Sequence, residues 1–252
     1  MPLLRRRRLL AAKIEGTPGT AETLAAADAT FNAYNITFAQ EVELEEREAP
    51  GGFARMESVP GGRRGTITFS VDAYWDGTAT EPAWADTFLP ACGWVKSGQV
   101  FTPRTEAPGS NVKTLTMGVY ADGMRWLLAG AAGTFQLVCP TGRVATFNFT
   151  FSGIWSSTTD VTILSPTYET ALPLRYASST TTWNSVALCL ENLTLDAGGT
   201  VVQIECGNGV SGYDYFMVSD RNVRVTGNPE TKLVASQPRY TNLLDMTSAA
   251  LT

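Results

Sequence analysis

Two long runs of alternating apolar and polar residues dominate the first third of the chain. Residues 64–75 place apolar side chains on odd positions and polar side chains on even ones. The apolar positions are Ile67, Phe69, Val71 and Ala73. A period of two predicts a β-strand with one packed face and one face that meets water or a partner. Residues 35–46 form a second such run, so we predict two long strands joined by a charged, glycine-rich loop over residues 47–63, longer than most hairpin loops.

The remaining pattern predicts further strands and a single helix. Residues 143–155 alternate cleanly and place Phe147, Phe149 and Phe151 on one face, which is typical of a sandwich core. A helix is predicted over about residues 82–92, because Pro82 suits a first helical turn and Gly93 suits a helix end. The Asp-Gly pair at 122–123 predicts a hairpin turn. A break in alternation at residues 191–192 predicts a β-bulge.

These elements predict an all-β dominated fold, a β-sandwich or partial barrel with one flanking α-helix. Residues 1–30 and 236–252 show no stable period, and we interpret them as extended N-terminal and C-terminal arms. The β domain is predicted to span residues 31–235. Its two long strand pairs suit pairing of sheets between subunits, which would remove exposed strand edges.

The composition of the chain argues against several classes of function. The chain has 252 residues, a net charge of −5 and no histidine. The absence of histidine removes the commonest general base and the commonest zinc ligand. Acidic chains are poor candidates for direct nucleic-acid binding, because that binding rests on Lys and Arg neutralising phosphates. The four cysteines form no CxxC pair. We interpret them as small buried hydrophobic residues in a reducing compartment, with a disulfide pair as the alternative. No apolar run is long enough to span a membrane, and the N-terminus does not fit a signal peptide.

The sequence motifs for nucleotide binding, catalysis or metal binding are weak. Residues 207–212 match G-x-G-x-x-G, but the residues that follow are β-like, so a glycine-rich turn explains them better than a nucleotide site. Acidic pairs such as Glu45 with Glu46, or Asp214 with Asp220, would serve a glycosidase only if they faced each other across a cleft. No cluster has metal-ligand spacing. We therefore expect no enzyme activity, no metal and no cofactor.

Two charged sets admit more than one interpretation. Glu41, Glu43 and Glu45 share the polar face of the first long strand, either as a solvated face or as a negative strip lining a passage. The arginines at positions 5–8 would bind phosphate or anionic lipid, or would belong to a solvated arm that docks on a neighbouring acidic surface.

Several segments, in matching order along the chain, resemble the tail tube proteins of long-tailed bacteriophages. They are KIEGTPGT at 13–20 with AADA at 26–29, PAW through ACGW at 82–94, DG with LAGAAGT at 122–134, and VSDRNVRVTGNPE at 218–230. The chain departs from the family pattern at Val223, where the family has proline.

The resemblance implies a structural virion protein that forms hexameric rings, which stack into a hollow tube for genome ejection. It implies further copies of the chain as partners, together with tape measure, tail terminator and distal tail proteins. DNA would pass through without specific binding, and no membrane would be involved. The expected location is the virion tail, after assembly in the host bacterial cytoplasm.

The interpretation as a tail tube protein assigns roles to two groups of residues. A carboxylate lining would repel DNA phosphate, so the expected lumen-lining residues are Glu41, Glu43, Glu45 and Asp72. The expected inter-ring contacts are Arg5, Arg6, Arg7, Arg8, Arg47, Arg55, Met56 and Arg63. The alternative function is a capsid decoration or carbohydrate-binding β-sandwich module, which should stay monomeric and display a row of exposed aromatic side chains.

Overall fold

A computed structural model describes residues 7–49, 51, 55–75, 81–105, 112–183, 186–209, 211–233 and 244–245. The described chain is dominated by β-strands and contains one α-helix, α1 (Ala83–Ala91), which confirms the predicted fold class at this level. The strands are β1 (Arg8–Ile14), β2 (Ala33–Glu48), β3 (Arg55–Asp72), β4 (Trp94–Ser97), β5 (Val100–Pro103), β6 (Leu115–Ala121), β7 (Met124–Pro140), β8 (Thr146–Asp160), β9 (Thr181–Trp183), β10 (Val186–Leu188), β11 (Leu190–Asp196), β12 (Gly199–Glu205), β13 (Tyr213–Arg221) and β14 (Arg224–Pro229). A short 3₁₀ helix covers Ala26–Ala29.

One antiparallel sheet organises the molecule, with strand order β1-β6-β7-β8-β3-β2. The long strand β7 pairs with β6 along its first half and with β11 along its second half, and β11 pairs in turn with β14. The sheet curls so that Nη1 of Arg8 in β1 donates to the carbonyl of Ile36 in β2, at 2.7 Å. In the described residues no strand pairing joins β1 to β2, so the barrel stays open.

The inner face of the sheet forms the main core, and helix α1 covers it. The ring of Phe88 in α1 lies 4.8 Å from Phe69 and 5.2 Å from Phe149, measured between centroids. Phe149 and Phe151 are buried, and Phe147 is partly buried against the same cluster. The aromatic face predicted from residues 143–155 is therefore confirmed as core.

Four smaller predictions are confirmed. Helix α1 lies within the predicted helix, with Pro82 as its N-cap and the positive-φ Gly93 after its end. Asp122 and Gly123, both with positive φ, form the turn between β6 and β7. The pairing of β11 with β14 shifts register between Leu190 and Leu193. The glycine-rich segment 207–212 connects two strands of a hairpin, β12 and β13, and no helix follows it.

The predicted loop over residues 47–63 is wrong for most of its length. β2 continues to Glu48 and β3 begins at Arg55, and these two residues are paired. Arg47, Arg55, Met56 and Arg63 therefore lie on strands. Pairing survives the Pro-Gly-Gly sequence at 60–62 because register shifts on either side of Leu44 and Glu45 absorb the irregular residues.

The arm predicted for residues 1–30 needs a similar correction. Residues 8–14 form β1, which pairs with β6 along its whole length. Leu10 and Ala12 join the main core, while Leu9 and Ala11 pack in a second cluster on the opposite face. Burial on both faces removes the alternation that marks a strand, which is why this strand gave no periodic signal. The predicted C-terminal arm lies outside the described residues, apart from residues 244–245.

A buried carboxylate fixes the segment that follows β1. Glu15 is 3% exposed and accepts four hydrogen bonds. Its Oε2 accepts from the Gly19 amide and the Thr114 hydroxyl, and its Oε1 accepts from the Thr116 hydroxyl and the Gly130 amide, at 2.6–2.8 Å. A buried carboxylate is tolerable when its oxygens are satisfied in this way. Glu15 thereby ties the turn at residues 16–20 to β6 and β7.

Replacing Glu15 tests this linkage. In Glu15→Gln one acceptor oxygen becomes an NH₂ group, which would face one backbone N–H donor, of Gly19 or Gly130, that then lacks a partner. We expect the free energy of unfolding to fall by roughly 1–3 kcal/mol, the usual cost of a buried unsatisfied polar group. Urea unfolding at neutral pH measures the change. Glu57→Gln, at an exposed position of β3, is the matched control and should leave the midpoint unchanged. Equal midpoints for both variants would contradict the assigned role.

Candidate functional site

The outer face of the main sheet is lined with hydroxyl and amide groups. Thr68 in β3 lies opposite Thr37 in β2 on one side and Thr150 in β8 on the other. Thr150 lies opposite Thr134 in β7, so a row of threonines crosses neighbouring strands. The even positions of β3 face outward because the odd positions, including Phe69, are committed to the core.

A second row runs parallel to the threonines. Ser70 donates to Asn148 Oδ1 at 2.8 Å, and Asn148 lies opposite Gln136 in β7. Gln136 lies opposite Asp196 in β11, and Asp196 opposite Arg224 in β14, so this row ends in two charged residues, which form no ion pair with each other in the described chain. We call the surface formed by the following residues the polar face: Thr37, Thr66, Thr68, Ser70, Asp72, Thr134, Gln136, Thr146, Asn148, Thr150 and Ser152.

Asp72 lies on the polar face, as the sequence predicts, but its carboxylate is engaged. Tyr34 donates its hydroxyl hydrogen to Asp72 Oδ1 at 2.7 Å. Partial burial, and secondarily this hydrogen bond to Asp72, raise the pKa of the Tyr34 phenol. The phenol therefore stays protonated at neutral pH and remains a donor to Asp72.

Glu41 and Glu43 are brought together by a residue that the sequence did not single out. Arg64 lies opposite Glu41 and binds it through two nitrogens, Nη2 at 2.6 Å and Nε at 3.0 Å. Its Nη1 lies 3.7 Å from Glu43 Oε1, which also accepts a hydrogen bond from Tyr213 at 2.9 Å. The hydrogen bond from Arg64 lowers the pKa of the Glu41 carboxyl. Arg64 thus partly neutralises the expected strip of negative charge, at Glu41 and Glu43.

The far end of the β2–β3 hairpin has no third strand beside it. Pairing of β3 with β8 ends at Arg64, and beyond it β2 and β3 pair only with each other in the described residues. We call residues 44–48 and 55–60 the ribbon. It exposes large apolar side chains, with Leu44 64% accessible and Met56 and Val59 also exposed. An isolated two-stranded ribbon is marginally stable in water, so this one favours support from a partner.

The predicted inter-ring residues divide into three groups. Arg47, Arg55 and Met56 lie on the ribbon, where Arg55 pairs with Glu46, and Arg63 lies at its base opposite Val42. Arg7 and Arg8 contact their own chain, Arg7 at 3.9 Å from Asp122 and Arg8 at the Ile36 carbonyl. Arg5 and Arg6 lie outside the described residues.

Two strand edges flank the polar face. β14 pairs with β11 alone and β2 with β3 alone, as far as the described chain shows. Val225 in β14 and Tyr34 in β2 are exposed large hydrophobic side chains at these edges. An unpaired edge with free backbone donors and acceptors is a template for a strand from another chain.

The described residues offer little for chemistry. They contain no group of three or more acidic, cysteine or histidine residues that would hold a metal ion. None of their helices combines the length and the apolar character needed to cross a bilayer. All four cysteines are free thiols, of which Cys189 is exposed, and burial raises the pKa of the Cys92 thiol, which makes it a poor nucleophile.

The Arg64–Glu41 pair predicts a pH-dependent contribution to stability. A carboxyl with a lowered folded-state pKa stabilises the fold above its unfolded pKa, and this contribution is lost as pH falls through the folded pKa. Arg64→Met should therefore lower the unfolding midpoint at pH 7, and the difference from the parent should shrink as pH falls below the ordinary glutamate pKa of 4.5. Arg63→Met is the control on the neighbouring position. Thermal unfolding from pH 7 to pH 3 measures both variants, and a constant difference for Arg64→Met would contradict the pairing.

No protein-family model matches the chain, and no curated protein shows significant similarity to it.

Proposed function

We propose that the protein is a structural subunit of a bacteriophage tail tube. Copies join side by side through the β2 and β14 edges into rings, which the family resemblance makes hexameric, and rings stack through the ribbon. The observation that carries the proposal is a polar face between two unpaired strand edges, exposed to water outside the part that the β12–β13 hairpin covers, on a sheet whose other face is filled by the core. Edge-to-edge pairing would continue the polar face from copy to copy and would leave a water-filled lumen in a wide closed sheet.

The chemistry of the polar face suits a passage for DNA. Binding of duplex DNA depends on Lys and Arg side chains that neutralise phosphates and release counterions. The rows described above present hydroxyls and amides, and Arg64 at their margin is already bound to Glu41. A phosphate backbone moving past such a surface gains little binding energy at any point. The function is therefore mechanical, a conduit for genome ejection without specific binding.

Stacking also explains the partners and the location that the resemblance implies. One end of a finite tube presents uncovered ribbons and the other presents the uncovered surface that would receive them, so different proteins must close the two ends. Tail terminator and distal tail proteins would occupy these ends, and a tape measure protein would occupy the lumen during assembly. The proposed location, in line with the resemblance, is the virion tail after assembly in the host bacterial cytoplasm.

The alternative of a decoration or carbohydrate-binding module has less support. Such a module needs aromatic rings on its surface, whereas the strongest aromatic series, Phe147, Phe149 and Phe151, packs into the core. Sedimentation velocity of concentrated protein separates the two functions. Rings and tubes support the tail tube, and a monodisperse monomer at all concentrations would support the module instead.

Shortening the ribbon tests its stacking role. Glu45 lies opposite Val59, so residues 46–58 are replaceable by a two-residue Asn-Gly turn that closes the hairpin at this pair. The variant should keep the unfolding transition of the parent, because the ribbon adds little to the core, but should form no long tubes in negative-stain images. Glu57→Gln keeps the ribbon length and should assemble normally. Polymerisation of the shortened variant at the parent's concentration would refute the role.

Adding positive charge to the polar face tests the lining. Thr68→Lys combined with Thr150→Lys places ammonium groups at neighbouring positions in the threonine row. Tubes of this variant should retain fluorescent duplex DNA at low salt and release it as salt rises, since ammonium–phosphate attraction is screened. Parent tubes, and tubes of Ser97→Lys on the β4–β5 hairpin beside helix α1, should retain none. Equal passage of DNA through all three would remove the polar face from the bore.

A further inference from the structure

A cleft beside the end of helix α1 carries two arginines that the tube proposal does not use. Its volume is about 570 Å³, and it lies between the end of helix α1, the segment that follows β5, and strand β13. Arg104 and Arg221 both line it, together with Asp220. The cleft therefore holds more positive than negative charge, on a chain whose net charge is −5.

Backbone carbonyls hold both guanidinium groups in place. Arg104 donates from Nη2 to the Val218 carbonyl at 2.8 Å, and Arg221 donates from Nη1 to the Arg104 carbonyl at 2.6 Å. Asp220 Oδ1 accepts from the Arg221 backbone amide at 2.7 Å. Among the described residues, no carboxylate forms an ion pair with either arginine. Each guanidinium has five N–H donors, so most of them remain for an oxyanion such as a carboxylate.

The ribbon carries the matching chemistry. Glu45 and Glu48 are exposed there on opposite faces of β2, and no lysine or arginine of the described chain pairs with them. Neighbouring Glu46, by contrast, pairs with Arg55. The ribbon lacks a third strand and exposes Leu44, so a surface on another copy is needed to cover it. A contact with another copy would therefore both pair the ribbon carboxylates and cover Leu44.

We propose that the Arg104–Arg221 cleft of one copy receives the edge of the ribbon of a second copy, so that the carboxylates of Glu45 and Glu48, on opposite faces of β2, each meet one arginine. The proposal rests on the stacking of rings proposed above and names the surface that receives the ribbon. Arginine presents parallel N–H groups that match the two oxygens of a carboxylate, which fixes the direction of approach as well as the affinity. An acceptor held by backbone hydrogen bonds and a protruding donor on the ribbon would also set the register between rings.

Removing the charge of the cleft tests the acceptor side. In Arg104→Gln combined with Arg221→Gln, each amide keeps an N–H donor for its backbone carbonyl but has no positive charge. We expect the critical concentration for tube formation, measured by light scattering and imaging, to rise about tenfold or more, as expected for the loss of charge-assisted hydrogen bonds. The salt dependence of assembly should weaken as well. Arg143→Gln, an exposed arginine outside the cleft, is the matched control.

A complementary pair of variants tests the partnership directly. The first variant carries Arg104→Glu and Arg221→Glu, and the second carries Glu45→Arg and Glu48→Arg. Alone, each should fail to assemble, because like charges would meet between copies. Mixed in equal amounts, they should form tubes, since each ribbon then meets a cleft of opposite charge. Failure of the mixture, with both variants folded by circular dichroism, would overturn the pairing.

The outcomes separate this inference from the proposed function. If the parent forms tubes and the variant with Arg104→Gln and Arg221→Gln forms them at the same concentration, the cleft is not the acceptor and the tube function stands. If the parent itself never assembles, the tube function fails first. Should the cleft variants unfold, Glu45→Gln with Glu48→Gln on the exposed ribbon tests the same contact from the other side. An unchanged critical concentration for this ribbon variant would also overturn the inference.

Discussion

The structure depends on burying one face of the main sheet against helix α1. Phe69 and Phe149 stack at 5.2 Å, and Phe88 from the helix closes over both. Because alternate side chains of a strand point to opposite faces, this commitment forces the neighbouring threonines outward. A slip of one residue in the register of β3 or β8 would bring phenylalanine to the outer face and threonine into the core. The polar face is therefore specified by the core beneath it.

Several acidic groups are engaged within the described chain, two of them, Glu41 and Asp72, beside the proposed passage. Glu15 is held by four donors, Glu41 by Arg64, and Asp72 by Tyr34. The net charge of the chain consequently says little about the charge of the polar face, which consists mostly of hydroxyl and amide groups. Charged groups without an ion pair in the described residues include Glu45 and Glu48 on the ribbon and the two arginines of the Arg104–Arg221 cleft. The inferred contact between copies joins these two sets.

The sequence predicted the elements that show a local period. The strand at 64–75, the phenylalanine face at 147–151, helix α1 and the Asp-Gly turn follow from alternation or from turn chemistry. Strand β1 escaped prediction because both of its faces are buried. The ribbon escaped because Pro60 and the glycines after it have the composition of a loop, although bulges accommodate them in a strand. The site depends on longer-range geometry, since Arg64 meets Glu41 only in the observed register and Arg104 and Arg221 lie 117 residues apart.

The central claim is that copies fuse their sheets edge to edge around a bore lined by the polar face. A cryo-electron microscopy map of assembled protein, at a resolution that shows side chains, measures this directly. We expect backbone hydrogen bonds between β14 of one copy and β2 of the next, with Thr68 and Thr150 facing the bore. A map in which these threonines face the outside of the particle, or in which β2 and β14 end without a neighbouring strand, would contradict the account.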